Sequence, residues 1–214
     1  EIIRGKIPGG QAKIVFIFRW KVMIVIDREF DAGINFDKVG DPGWATKAAS
    51  QLEADVRNGA NGLKVYKNLG FSVKDIDGKR VTVDDPRLDP VWQKCAELRI
   101  PVLIHTADPK SFWDPVDEHN ERWLEITSHP NRKRGPDSPV PFEVLIEEQH
   151  RMFKRNSKTT FIAAHFGWYP NDLNKLGNLL DEMPNVMVEF GAVIAELGRQ
   201  PRMAKQFFTK YQDR

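Results

Sequence analysis

The 214-residue sequence has little of what would assign a function at once. Its single cysteine, Cys95, excludes an internal disulfide and any zinc cluster built from several cysteines. Basic and acidic residues, 32 against 30, nearly cancel, which argues against a nucleic-acid partner. The best apolar run, residues 22–26, is far shorter than the ~20 residues that cross a bilayer. We therefore expect a soluble, cytoplasmic protein with neither membrane nor nucleic acid as a partner.

Several sequence signatures are absent as well. No Gly-x-Ser-x-Gly nucleophile elbow is present, so serine hydrolysis has no visible support. The dinucleotide fingerprint and the phosphate-binding Gly-x-x-x-x-Gly-Lys-Ser/Thr loop are also missing. The first residues carry no signal-peptide pattern and no initiator methionine, which is typical of a partial reading frame.

Strand-like and helix-like segments alternate over most of the chain, which predicts an α/β fold with a parallel sheet. Short apolar runs predict buried strands at 62–66, 101–105, 161–165 and 186–190. Apolar residues at helical spacing predict helices at 44–56, 89–98, 142–153, 173–183 and 204–211. Weaker strand patterns lie at 14–18 and 22–26. This alternation fits both a closed eight-fold barrel and an open doubly wound sheet.

Two connections are long. Residues 71–86 contain Asp77-Gly78 between apolar residues, which predicts a small hairpin excursion. Residues 106–141 directly follow a predicted strand, where binding loops and lids of parallel α/β folds lie. We expect this second loop to fold over the strand ends, with Trp113 and Trp123 as its buried anchors.

Two predicted strands end in histidine, at His105 and His165. The carboxyl ends of parallel strands form the mouth where ligands bind, and neutral imidazole is the commonest protein ligand for zinc-like metals. Two such histidines on consecutive strands indicate a metal site or, alternatively, two hydrogen-bonded structural histidines. The other three histidines, His119, His129 and His150, are predicted to face solvent.

Charged residues within predicted strands are the other candidates. Strand alternation places Lys64 on the face opposite Leu63 and Val65, where it can bind a substrate anion, bridge a metal or form an ion pair. Glu189 can orient a metal-bound histidine, or pair with Lys64 or an arginine. Asp108 can act as an acid or base, although a turn cap before Pro109 is the simpler interpretation.

Four segments around these residues resemble the amidohydrolase-2 family: 59–70, 101–109, 163–168 and 184–192. The segments 84–92 and 195–202 add to the resemblance, which covers about residues 37–214. It implies a (β/α)₈ TIM barrel that binds a divalent metal ion, with zinc the expected one. By resemblance, His105 is the metal histidine of the fifth strand. His165 is the histidine of the sixth strand, which assists the metal-bound water or substrate.

The chain departs from the family pattern at two metal-binding positions. No histidine precedes His105, so the His-x-His pair of the first strand is missing. The eighth-strand aspartate is missing too, because Asp213 precedes the place of that strand. We therefore expect residues 1–214 to form a single partial barrel domain that lacks the first and last strands. Such a fragment alone is expected to be inactive, although its parent protein is an enzyme.

Three functional hypotheses follow. The first is hydrolysis of a small molecule, in which a metal-activated water attacks a carbonyl-type carbon. Its catalytic residues are His165, Lys64 and Glu189, its metal ligands are His105 and His165, and no organic cofactor site is predicted. The second is decarboxylation of a small carboxylate held by Lys64 with Arg132 or Arg134. The third is a barrel remnant without catalysis, and a homo-oligomer is compatible with all three.

Overall fold

A computed structural model describes residues 31–135, 138 and 140–214. Within them, five short parallel strands form one sheet. The strands are β1 (Asp31–Ala32), β2 (Gly62–Val65), β3 (Val102–Ile104), β4 (Phe161–Ala163) and β5 (Val186–Val188). The last four confirm the predicted strands and end one or two residues earlier than predicted. The segments 14–18 and 22–26 lie outside the described residues.

Helices connect the strands on one face of the sheet. The predicted helices are present as α1 (Trp44–Arg57), α3 (Asp89–Leu98), α5 (Phe142–Arg155), α6 (Leu173–Glu182) and α8 (Pro201–Lys210). Three shorter ones are α2 (Asn68–Phe71), α4 (Trp123–Ser128) and α7 (Ile194–Gly198). Sequence signals explain where two of these helices, α3 and α6, begin. Pro90 lies in the first turn of α3, and the side chain of Asp172 accepts the amide N–H of Lys175 to cap α6. No described helix has the length and apolarity required to cross a membrane.

The spatial order of the strands is β1-β2-β3-β4-β5, the same as their order in the chain. An open doubly wound sheet reverses direction at a switch point, whereas a barrel adds each strand beside the previous one. The order therefore selects the barrel class between the two architectures that the sequence left open. Eight strands close such a barrel, so the described five form an incomplete one.

The two faces of the sheet differ in burial. Leu63, Val102, Phe161 and Val186 are neighbours in register, and all are fully buried beneath the helices. One residue further along each strand, a second row is half-buried on the opposite, interior face of the barrel sheet: Lys64, Leu103, Ile162 and Met187. The predicted alternation around Lys64 is confirmed.

The excursion after β2 is a hairpin with one antiparallel bridge, between Lys74 and Arg80. A buried carboxylate holds it to α5. Glu148 accepts two hydrogen bonds from the Arg80 guanidinium, at 2.5 and 3.0 Å, and one from the amide of Val83 at 3.1 Å. Arg80 also donates to the carbonyl of Gly70 at 2.8 Å. The hairpin is therefore fixed at its base by a charge-assisted network.

A substitution at Gly70 tests how tightly the base of this hairpin is packed. Its φ of +84° favours glycine, and a Cβ there would lie 2.6 Å from Cγ2 of Val83. We predict that Gly70→Ala lowers the free energy of unfolding by about 3 kcal/mol, through overpacking added to backbone strain. Urea unfolding measures it.

Gly78→Ala is the matched control, because Gly78 also has a positive φ, +74°, but an added Cβ would have no neighbour within 4 Å. Gly78→Ala should lower the free energy of unfolding by about 1 kcal/mol, from backbone strain alone. Equal losses in the two variants would contradict the tight packing at Gly70.

Candidate metal centre and active site

His105 and His165 meet at the carboxyl ends of β3 and β4. Their ring centroids are 4.5 Å apart, and the rings are nearly perpendicular at 82°. The indole of Trp168 lies against both, with centroids 4.7 Å from His165 and 5.8 Å from His105. The two strand-end histidines are thus brought into contact beside one indole ring.

His165 lies in an unusual backbone turn. It begins a run of four residues with positive φ, between +55° and +61°, that continues through Phe166 and Gly167 to Trp168. The left-handed region costs roughly 1–2 kcal/mol for each residue with a Cβ, so three of the four are strained. Strain of this kind persists only where surrounding contacts impose it.

Glu189, just after β5, supplies those contacts. Its carboxylate accepts the amide N–H of His165 at 2.7 Å and that of Gly191 at 2.5 Å. Its carbonyl accepts the amide of Phe166 at 2.8 Å. One residue thereby fixes both the left-handed turn and the loop after β5. These contacts are compatible with Glu189 orienting a histidine, one of the roles predicted for it.

The ring of His165 is held in one tautomer. Its Nδ1 lies 2.8 Å from the carbonyl oxygen of Gly191 and 3.3 Å from Oε1 of Glu189. Both oxygens only accept, so Nδ1 of the neutral ring carries the proton and Nε2 keeps its lone pair. A histidine that donates from one nitrogen to a carbonyl or carboxylate is the usual arrangement for a ligand or base at the other.

His105 is kept neutral. Burial, followed by the nearby charge of His165 when that ring is protonated and by the charges of Lys64 and Lys67, lowers the pKa of His105 to about 3. Its Nε2 is buried, and no hydrogen-bond partner for it exists among the described residues. Lys64 also places its ammonium 5.3 Å from the ring centre of Tyr66, so it lies at the same strand ends.

Two predictions for single residues are wrong. His150 does not face solvent: its Nε2 is buried, and burial lowers the pKa of the ring to about 4. Its position on α5 turns it toward Tyr169, with ring centroids 5.9 Å apart. Asp108 caps no turn. Its buried carboxylate accepts from Lys67 at 2.5 Å and from Arg134 at 2.6 Å.

The sequence interpretation named Asp108 but missed its ion pairs with Lys67 and Arg134. Lys67 follows β2, and Arg134 lies near the end of the long loop, so the carboxylate joins three separate segments. The guanidinium of Arg134 also lies 5.4 Å from the ring centre of Phe71. No local sequence pattern indicates the cluster, because Lys67 and Arg134 are 41 and 26 residues from Asp108 in the sequence.

The long loop is ordered by buried side chains, as predicted, but only one of the two predicted tryptophan anchors holds it. Trp113 stacks on Phe71 and packs edge-on against Phe142. Trp123 is 43% exposed and anchors nothing, which corrects that prediction. Phe112 is buried in its place, because the short helix that precedes Trp113 turns it inward.

Comparison with known proteins identifies the group to which this fold and site belong. The sequence matches the amidohydrolase model Amidohydro_2 over residues 29–214. The chain belongs to the amidohydrolase family. A search of curated proteins gave no match. Membership supports a hydrolase-type function.

Solved structures of similar proteins include two larger chains. One is an amidohydrolase from Mycobacterium avium subsp. paratuberculosis K-10, with 18% identity, 83% of this chain and 51% of that chain covered, and a TM-score of 0.37. The other is an uncharacterized TIM-barrel protein from Bordetella bronchiseptica, with 15% identity, 66% and 39% covered, and a TM-score of 0.37. This amidohydrolase chain spans about half or less of their lengths.

The donors in this amidohydrolase chain fit a divalent metal ion in part. The buried Nε2 of His105 and the Nε2 of His165, left free by its tautomer, are two imidazole donors beside one another. Within residues 31–135, 138 and 140–214, no group of three His, Cys, Asp or Glu side chains is arranged to hold a metal. Cys95 cannot help, because it is buried in α3 and burial raises the pKa of its thiol to about 12.

The Asp108 cluster should hold the long loop near the ends of β2 and β3. We predict that Asp108→Asn leaves Lys67 and Arg134 without their counter-charge and loosens residues 106–135. Amide exchange there should quicken roughly 30-fold, equivalent to about 2 kcal/mol of local stability. Hydrogen-exchange mass spectrometry measures it peptide by peptide.

Asp114→Asn is the control in the same loop. Asp114 forms an exposed pair with Lys110, so this variant should change local stability by less than about 0.5 kcal/mol. If Asp108→Asn exchanged no faster than Asp114→Asn, the carboxylate of Asp108 would not be what holds the loop.

Proposed function

We propose that this chain supplies two imidazole ligands to the divalent metal of an amidohydrolase that hydrolyses a small molecule. Zinc is the metal that best suits neutral imidazole donors. The contact between the rings of His105 and His165, with Nδ1 of His165 held by Gly191, carries the proposal. Neither ring has an evident structural use for its Nε2.

His105 is proposed as a plain ligand. Its low pKa, about 3, keeps the lone pair available at any physiological pH. Burial around it excludes competing water, and its Nε2 needs a partner to offset the cost of burying a polar atom.

His165 and Glu189 are proposed to act as a unit. The Nε2 of His165 binds the metal or accepts a proton from the attacking water, while Nδ1 keeps its proton against Gly191. Glu189 holds the turn and stabilises positive charge on the ring when the proton arrives at Nε2. A bound divalent metal supplies a lowered pKa for water and polarises the carbonyl-type carbon that water attacks.

Lys64 is proposed to bind the oxygen of the substrate on which negative charge develops. It lies on the interior face of the sheet, close enough to His105 to lower that residue's pKa. The same charge suits the carboxylate of the alternative decarboxylation. Two arginines first considered for that role are engaged elsewhere, Arg132 with Glu125 and Arg134 with Asp108. Hydrolysis is therefore favoured over decarboxylation.

The number of ligands bears on the third hypothesis, a remnant without catalysis. A catalytic zinc usually has at least three protein ligands and an open position for water. The described residues offer two, so we propose that these 214 residues bind zinc weakly and do not turn over. The whole protein would complete the set.

Zinc titration by calorimetry tests the proposal. We expect one weak site per chain, and a loss of affinity of about tenfold or more in His105→Ala and in His165→Ala. His119→Ala is the control, since this side chain is 87% exposed and should not affect zinc affinity.

A longer version of the protein that adds the missing metal ligands should bind zinc tightly and hydrolyse ester or lactone substrates. Equal zinc affinity in all three histidine variants would contradict the assignment. Tight binding and comparable turnover in the 214-residue chain would show that the ligands lie elsewhere.

A further inference from the structure

The loop after β5 has a second support, from the long loop on the other side of the strand ends. One NH2 group of Arg122 donates to the carbonyl of Ala192 at 3.1 Å and to Oε1 of Glu196 at 2.6 Å. Its NH1 donates to Glu125 at 2.9 Å. A single guanidinium thus joins two loops that are more than 65 residues apart in sequence.

The ion pair between Arg122 and Glu196 contributes little to the stability of the fold. The side chain of Glu196 is only 3% exposed and that of Arg122 only 16%. Among the described residues, neither Oε2 of Glu196 nor Nε of Arg122 has a hydrogen-bond partner. A buried pair with an unmet acceptor and an unmet donor recovers little beyond its desolvation cost. We therefore attribute its role to the backbone groups that it positions.

What it positions is the carbonyl that fixes the tautomer of His165. Ala192 directly follows Gly191, whose oxygen receives Nδ1–H of His165. Ala192 has a φ of +59°, a strained conformation for a residue with a Cβ, so neighbouring contacts must hold it. Glu189 holds this short segment at its start through the amide of Gly191, and Arg122 holds it at Ala192.

We propose that Arg122 is a positioning residue for His165. By fixing Ala192 and Glu196, its guanidinium keeps the Gly191 carbonyl aimed at Nδ1 and so keeps the lone pair on Nε2. The long loop thereby controls the metal-binding nitrogen without touching it. This inference rests on the proposed function for its importance, but the tautomer itself is measurable without metal or substrate.

Long-range ¹H–¹⁵N correlation spectra of the metal-free chain report the tautomer of each imidazole. The spectra are recorded at a pH of about 8.5, well above the ordinary pKa of free imidazole. We expect His165 to be almost entirely the Nδ1–H form in the unmodified chain. In Arg122→Gln the Nε2–H form, which free imidazole side chains prefer, should become readily detectable beside the Nδ1–H form, because Oε1 of Glu189 remains 3.3 Å from Nδ1.

Arg132→Ala is the matched control. Arg132 donates to the same Glu125 but contacts neither Ala192 nor Glu196, so the tautomer of His165 should not change. An equal change in Arg132→Ala would show that general loosening of the loop is responsible, and would overturn the proposal.

Arg122→Lys covers the case in which Arg122→Gln does not fold. A lysine keeps the charge beside Glu196 but has no planar fork to serve Glu125 and Ala192 together, so a partial change of tautomer is expected. Circular dichroism identifies the folded variants. An unchanged Nδ1–H form in folded Arg122→Lys, and in Arg122→Gln if it folds, would refute a positioning role.

The result is separable from the proposed function. If zinc binding proves independent of His165 but Arg122→Gln still changes its tautomer, the metal assignment fails and the positioning role stands. If zinc binding requires His165 but neither Arg122 variant affects the tautomer, the metal assignment stands and the positioning role fails. If the metal assignment of His165 and the positioning role of Arg122 are both correct, Arg122→Gln should weaken zinc binding about tenfold.

Discussion

Hydrogen bonds between consecutive parallel strands impose the constraint on which the rest of the structure depends. An amide at or next to the start of β2, β3 and β4 donates to the carbonyl of the residue just before the next strand: Leu63 to Pro101, Val102 to Thr160 and Phe161 to Asn185, at 2.9–3.0 Å. This register aligns the strand ends on one edge. The residues that follow β3, β4 and β5 are then neighbours, which is why His105, His165 and Glu189 meet.

The register is itself held from the opposite edge. The side-chain amide of Asn185 donates to the carbonyls of Phe153, Asn156 and Thr159 at 3.1–3.3 Å, joining the start of β5 to the end of α5. At the carboxyl edge, buried carboxylates do the equivalent work for loops. Glu148, Asp108 and Glu196 each receive an arginine from a distant segment. The start of β5 is thus fixed by a neutral amide, and the loops around the site by charge.

The sequence predicted the periodic parts of this molecule well. Asp89-Pro90 marked the start of α3, and four strands were found from apolar runs alone. Histidine at two strand ends identified the centre of the site. Partnerships across long sequence distances were not predictable, because no local pattern links Asp108 to Lys67 or Arg122 to Glu196. Trp123 was misassigned because composition indicates that a loop is ordered but not which aromatic faces inward.

The left-handed turn at His165 has a consequence for the order of assembly. Its backbone is unfavourable on its own, and its main support is a carboxylate 24 residues further along the chain. The turn therefore gains stability only once β5 has docked beside β4. A chain still being synthesised, or one opened at its edge strand, lacks the contacts from Glu189 and Gly191 that fix the turn and the ring of His165. Orientation of the His165 ring is thereby coupled to docking of the fifth described strand beside the fourth.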